Sequence, residues 1–310
     1  MVRILITGFT GFIGHNLLPH LLSKNIKVDG VSRKKVLQNI SVYKYDELTV
    51  ELLNKYDVII HLAGKAHDLK NSTNESEYFK INSGLTKKMY DLFLKSDAKK
   101  FIFLSTVKAA KDRVDGFLVE DVTPDPKTAY GKSKLAAENY ILSQNLEGNK
   151  SFYILRPCMI HGPGNKGNLN LLYSFVKKGM PYPLAAFENH RSFLSVDNLL
   201  WAIDKIISTK VKSGVYNLAD NSSISSNYLY KLIAETLGLE PRIIQVPKSI
   251  IRLLGYTGDI LPFLPINSHK LQKLTENYCV SNAKFISEVQ SEFPVTLEQG
   301  LIKTINSFEQ

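Results

Sequence analysis

The chain has 310 residues, 44% of them hydrophobic and 22% charged, the composition of a soluble globular protein with material for one large domain or two modest ones. Lysine and arginine (39) outnumber aspartate and glutamate (29), and the net charge of +10 suits an anionic partner such as a nucleotide, a phosphorylated sugar, nucleic acid or a membrane surface. Two cysteines, Cys158 and Cys279, exclude a disulfide framework and fit a reducing cytoplasm, and no stretch reads as a signal peptide.

In chain order, the first half alternates strand and helix. The segments 2–8 ("VRILITG"), 27–33, 42–46, 57–64, 100–106 and 151–157 are near-continuous runs of β-branched and aromatic residues, which predicts strands covered on both faces. Helical patterns lie between them near 12–23, 48–55, 75–96 and 128–146. Strict alternation of this kind predicts an α/β fold with a doubly wound parallel sheet. Beyond "GPGNKGN" (162–168) come a helix to about 178, a strand at 191–196, a helix over 197–208 and one more strand at 214–220. Short helices follow, ending in "TLEQGLIKTINSF" (296–308). The apolar stretch 249–266 is interrupted by Arg252, Asp259 and two prolines, so it reads as a core or interface helix rather than a membrane span. Residues 1–165, with 192–222 returning to them, are expected to form the sheet domain. Residues 166–191 and 223–310 are expected to form a smaller, mostly helical lobe over the sheet's C-terminal edge.

Two sites stand out. In "ITGFTGFIGH" (6–15), glycines at 8, 11 and 14 sit where the first strand should become a helix. Glycine weakens helices, so the spacing needs a backbone reason: Gly8 for a tight turn, Gly11 for close approach of a pyrophosphate, Gly14 for helix–strand packing. The second strand ends in "VSR", and Ser32 and Arg33, followed by Lys34 and Lys35, suit a ribose 2′-phosphate better than a 2′-hydroxyl, although Asp29 stands nearby. NADP(H) is therefore favoured, with NAD(H) as the alternative. Downstream, Tyr130 and Lys134 are four apart at the head of a helix and share a face. An ammonium beside a phenol lowers its pKa and makes it a usable proton donor or acceptor. Ser105 and Thr106, at the end of the strand 100–106, place hydroxyls on the same side.

With "TGFTGFIG", "VIIHLAG", "INSGLT" (81–86), "FIFLST", "YGKSK", "LRPCMIHGPG" and "RSFLSVDNL" in this order, the chain resembles the extended short-chain dehydrogenase/reductases of the NAD-dependent epimerase/dehydratase family over essentially its whole length. The resemblance implies a Rossmann domain and a lobe that binds a nucleotide-sugar. It assigns catalysis to Thr106, Tyr130 and Lys134, with Lys134 also on the nicotinamide ribose. It places the amides of Phe12 and Ile13 on the pyrophosphate and Asp46 at the adenine, and sets Leu62, Ala63, Asn82, Ser105 and Pro157 around the cofactor. It makes Arg191 the phosphate-binding arginine, with Asn168 a second substrate contact and Lys270 or Lys273 a further cation. Lys65 and His67 border this region. The family's usual dimer pairs the two long helices, here 75–96 and 128–146.

Where family dehydratases carry an Asp-Glu pair after the catalytic threonine, this chain has Val107 and Lys108, and Met159 stands where many members have asparagine. The loop "VKAAKD" also lacks the Tyr-Gly step of epimerases. The segments 105–112, 155–168 and 190–199 are most similar to bacterial 4-ketoreductases acting on UDP-linked 2-acetamido-2,6-dideoxy-4-keto sugars. The expectation is an NADPH-consuming reductase in polysaccharide biosynthesis, with a UDP-hexose 4-epimerase and a non-catalytic dinucleotide sensor as rivals. The histidines show no metal-ligand spacing, and no nucleic-acid-binding motif accompanies the charge.

Overall fold

In the computed structural model, residues 2–33, 39–66, 74–165, 167–261 and 267–309 are described. The main sheet has seven strands: β1 (Arg3–Thr7), β2 (Lys27–Val31), β3 (Val42–Tyr43), β4 (Val58–His61), β5 (Lys100–Leu104), β6 (Ser151–Pro157) and β7 (Gly214–Leu218). Their order across the sheet is β7-β6-β5-β4-β1-β2-β3, and every pairing is parallel. The order reverses between β1 and β4, and the crevice at that switch point lies beyond the strands' carboxyl ends.

Successive strand residues point to opposite faces, so each strand feeds two cores. Ile4, Ile6, Ile60, Ile102 and Leu155 join one cluster, while Leu5, Ile59, Phe101, Phe103 and Ile154 join another. That double burial is why the strands read as unbroken apolar runs rather than alternating ones. A third cluster holds the smaller lobe together, with Leu169, Tyr173, Phe193, Ile224, Ile233 and Leu301 among its members.

The boundary expected at residue 223 needs one correction. Tyr278, Val280, Phe285 and Phe293 belong to the sheet-domain core. The strand Cys279–Val280 pairs with Phe117–Leu118, and Phe285 packs edge-on to Tyr216 of β7, with ring centroids 5.6 Å apart. The chain therefore returns to the first lobe a second time before the terminal helix Leu297–Asn306 rejoins the other. Among the described residues, no helix is long and apolar enough to cross a membrane.

Candidate active site

The crevice begins where β1 ends. Gly8 has φ of +73°, and a Cβ there would lie 2.6 Å from the Ala63 nitrogen, so only glycine fits. The Gly11 amide closes the turn on the Gly8 carbonyl at 3.0 Å, and Gly11 is the N-cap of helix Phe12–Ser23 with no side chain on the first-turn amides. A Cβ on Gly14 would stand 2.3 Å from Phe9 Cα, so the helix lies directly on the turn. Phe12 and Ile13 thus open a helix whose N-cap residue offers no side chain to the first-turn amides, a cradle that suits an anion of pyrophosphate size.

Across the switch point, Leu62 and Ala63 donate backbone N–H groups to the Thr7 carbonyl (3.1 Å) and hydroxyl (3.3 Å). His61, fully buried, joins Thr7 (2.6 Å) to Thr86 (3.0 Å). Burial, helped by the charge of Lys134, lowers its pKa to about 3, so the imidazole is neutral and serves as a strut.

At the adenosine end, Asp29 lies mid-strand and is engaged by the Tyr56 hydroxyl at 2.7 Å and by Arg3 at 3.9 Å. Ser32 follows the strand, its amide bonded to the Tyr43 carbonyl at 3.0 Å. Arg33 is exposed and within electrostatic reach of Tyr45, and Asp46 is exposed beside it in sequence. Lys34, Lys35 and His67 lie outside the described residues.

The catalytic candidates come from β5 and helix Ala129–Ser143. Thr128 caps that helix, its hydroxyl accepting the Gly131 amide at 3.1 Å. A Cβ on Gly131 would be 2.4 Å from the Lys108 carbonyl, so the helix start is pressed against the residues after β5. This contact places the Thr106 hydroxyl close enough to the Tyr130 phenol to favour its ionised form. Burial nevertheless pushes the Tyr130 pKa up to about 12, against the Thr106 bond that lowers it and with Tyr78 adding to the rise. The lowering expected from Lys134 is not seen. The Lys134 ammonium donates instead to the Leu104 carbonyl at 2.8 Å and lies 4.7 Å from the centre of the Phe103 ring. Its own pKa falls to about 8 through burial, with Glu138 opposing.

Ser105 also departs from expectation. Its hydroxyl turns inward to Glu138, which is paired with Arg156 (Nε to Oε1 3.1 Å) in a fully enclosed network behind Lys134. Asn82 sits in a π-helical turn, Phe79–Gly84. Its amide group accepts from the Lys65 nitrogen (2.7 Å) and donates to the Lys65 carbonyl (3.0 Å) and to Ser133 (2.9 Å). Asn82 thereby clamps the loop after β4 to the catalytic helix. The Lys65 side chain pairs with Glu77 at 3.0 Å rather than reaching toward a ligand.

On the lobe side, Arg191 faces Tyr278 across a β-bridge. The Lys108 ammonium lies 3.9 Å from the centre of the Tyr278 ring and donates to the Asp112 carbonyl at 2.9 Å. Burial lowers the pKa of Lys108, and Arg191 and Lys273 lower it further against Asp112 and Glu276. Arg191 and Lys273 thus lie within electrostatic reach of Lys108, two residues past Thr106, a grouping that their separation along the chain conceals. Pro157 is buried at the end of β6, in register with Leu218. Asn168 stands exposed at the head of helix Asn168–Lys177.

Known proteins resemble this chain in sequence or in fold. A UDP-glucose 4-epimerase from Vibrio cholerae is 28% identical over 99% of this chain and 95% of its own length. A GDP-6-deoxy-D-mannose reductase from Pseudomonas aeruginosa is 24% identical over 81% of this chain and 85% of its own. The solved UDP-N-acetylglucosamine 4-epimerase from Bacillus cereus superposes with a TM-score of 0.78 at 18% identity, covering all of both chains. Its sheet is the same fold. The sequence profile of the NAD dependent epimerase/dehydratase family matches residues 4–219, and with its glycine turn, Thr106, Tyr130 and Lys134 in one crevice the chain belongs to that family.

Proposed function

We propose that the protein reduces the C4 keto group of a UDP-linked 2-acetamido-2,6-dideoxy-4-keto sugar, with NADP(H) as cofactor. One observation supports the reading: the Thr106 hydroxyl stands close enough to the Tyr130 phenol to influence its pKa, while a cation, Lys108, lies two residues past Thr106 with its amide on the Thr106 hydroxyl. When bound, the nicotinamide dinucleotide supplies or accepts a hydride at the sugar carbon. Thr106 orients the sugar oxygen, and Tyr130, protonated near neutral pH, gives its proton to the alkoxide that forms there. Lys134 holds the ribose side of the cofactor from the same helix face. Elimination of water would need an acid–base pair after Thr106, which Val107 and Lys108 do not supply.

Arg191, Lys108 and Lys273 suit the diphosphate of a nucleotide-sugar, and the free, buried Cys158 and Cys279 suit a reducing cytoplasm. Arg33 at the strand end, with Asp29 already engaged, supports the 2′-phosphate. A homodimer through helices Leu85–Lys95 and Ala129–Ser143 completes the proposal. A second reading, a UDP-hexose 4-epimerase, is favoured by the name of the Vibrio cholerae relative.

Incubation with a UDP-4-keto-6-deoxy sugar and NADPH tests the choice. A reductase oxidises one cofactor per product and adds two hydrogens to the sugar. Interconversion of UDP-hexoses by protein purified with bound NAD, without net redox change, would move the assignment to epimerase. A titration in which NADH binds more tightly than NADPH would overturn the cofactor preference.

A further inference from the structure

Helix Lys248–Ile260 belongs to the smaller lobe, and its surface divides into three arcs. Ile251, Gly255 and Gly258 are buried. Helix Ser268–Thr275 packs on this arc, Leu271 Cδ2 lying only 3.3 Å from where a Gly255 Cβ would be. Ile250, Leu253, Leu254, Tyr256, Ile260 and Leu261 are instead 43% to 63% exposed. At the α-helical repeat these six fan over roughly 160° of the circumference. Single exposed apolar residues are ordinary, but an arc of large ones, interrupted by Ser249 and Thr257, is an interaction surface. Lys248, Arg252 and Asp259, all exposed, occupy the remaining arc along its margin.

We propose that this arc docks the protein onto an anionic lipid surface, lying in the plane of the interface. The helix has 13 residues, and none in the described chain can span a bilayer, so insertion would be shallow. The apolar arc supplies one attraction. Arg252 beside it and Lys248, whose ammonium lies 5.8 Å from the centre of the Phe187 ring, supply the second, opposed by Asp259 but acting with a chain of net charge +10. A second copy of the chain is the poorer occupant. Two chains of net charge +10 repel one another on approach, which an anionic surface does not. An anionic bilayer satisfies both features at once.

The experiment is co-sedimentation of the full chain with vesicles of phosphatidylcholine alone or mixed with phosphatidylglycerol. The expected result is pelleting with the mixed vesicles, weakened by salt, and none with phosphatidylcholine alone. Leu253→Ser combined with Ile260→Ser should abolish pelleting, with the fold checked by circular dichroism. Arg252→Ala should lower the partition about fivefold. No pelleting, or pelleting that survives the double substitution, would overturn the proposal. So would a dimer, seen by light scattering, that the double substitution dissolves while vesicles remain unbound. The substituted positions lie outside the crevice, so turnover of a soluble substrate should be unchanged and the docking test is independent of the reductase reading.

Discussion

Tyr130 sits under opposing influences, and their balance decides its role. Burial raises its pKa to about 12 while the Thr106 hydroxyl draws it down, so the phenol carries its proton throughout the physiological range. That is the state a proton donor to an alkoxide requires. Lys134 behaves differently: burial brings its pKa to about 8, so its charge is present below that pH and lost above it. The consequence is an alkaline limb in kcat/KM near pH 8, with activity falling as pH rises through it. Tyr130→Phe removes only a hydroxyl and should lower kcat by about 10²–10⁴-fold while the fold persists. Its residual activity should retain the alkaline limb, since that limb belongs to Lys134. Wild-type turnover in the Phe variant would place the proton donor elsewhere. Stability responds to Lys134 in the opposite sense: between its folded pKa and the ordinary lysine value, the unfolded chain holds more protons, so this group makes stability rise with pH there.

Two helices position these groups, each through a glycine that no other residue can replace without movement. Helix Phe12–Ser23 rests on Phe9 at Gly14, and helix Ala129–Ser143 rests on the Lys108 carbonyl at Gly131. Replacing glycine by alanine inside a helix ordinarily gains about 1 kcal/mol of propensity. At Gly14 the new Cβ would meet backbone at 2.3 Å, which no side-chain rotation relieves. Overpacking of this kind costs typically about 1–3 kcal/mol and can exceed the propensity gain. Gly14→Ala should therefore shift the urea midpoint downward, and an unchanged or raised midpoint would contradict the packing described. Both glycines carry a local signal in the chain, since each interrupts a helical pattern at its start. The partners that hold the helices in place carry none. Glu138 reads as one more helix-surface acid, yet it is fully buried against Arg156 and Ser105. Nor does Asn82 betray that it closes a π-helical turn onto Lys65 and Ser133.

Across the whole molecule, parallel strands buried on both faces made the doubly wound sheet readable from apolar runs alone. The return of residues 278–293 to the sheet domain was not readable. Its strand pairs with Phe117–Leu118, far away in sequence, and Phe285 and Phe293 find Trp201 and Tyr216 only after folding. That return also places Tyr278 between Arg191 and Lys108, joining the lobe to the catalytic loop. In the proposed site, the glycine turn, the Thr106–Tyr130–Lys134 group and the cations Lys108 and Arg191 act together on one ligand pair. The proposed net reduction at C4 can be followed with an isotope. With NADPH deuterated at the transferable position and a UDP-4-keto-6-deoxy sugar, the product should carry one deuterium at C4 for each cofactor oxidised. Product without deuterium at C4, or epimerised sugar formed with no cofactor consumed, would contradict it.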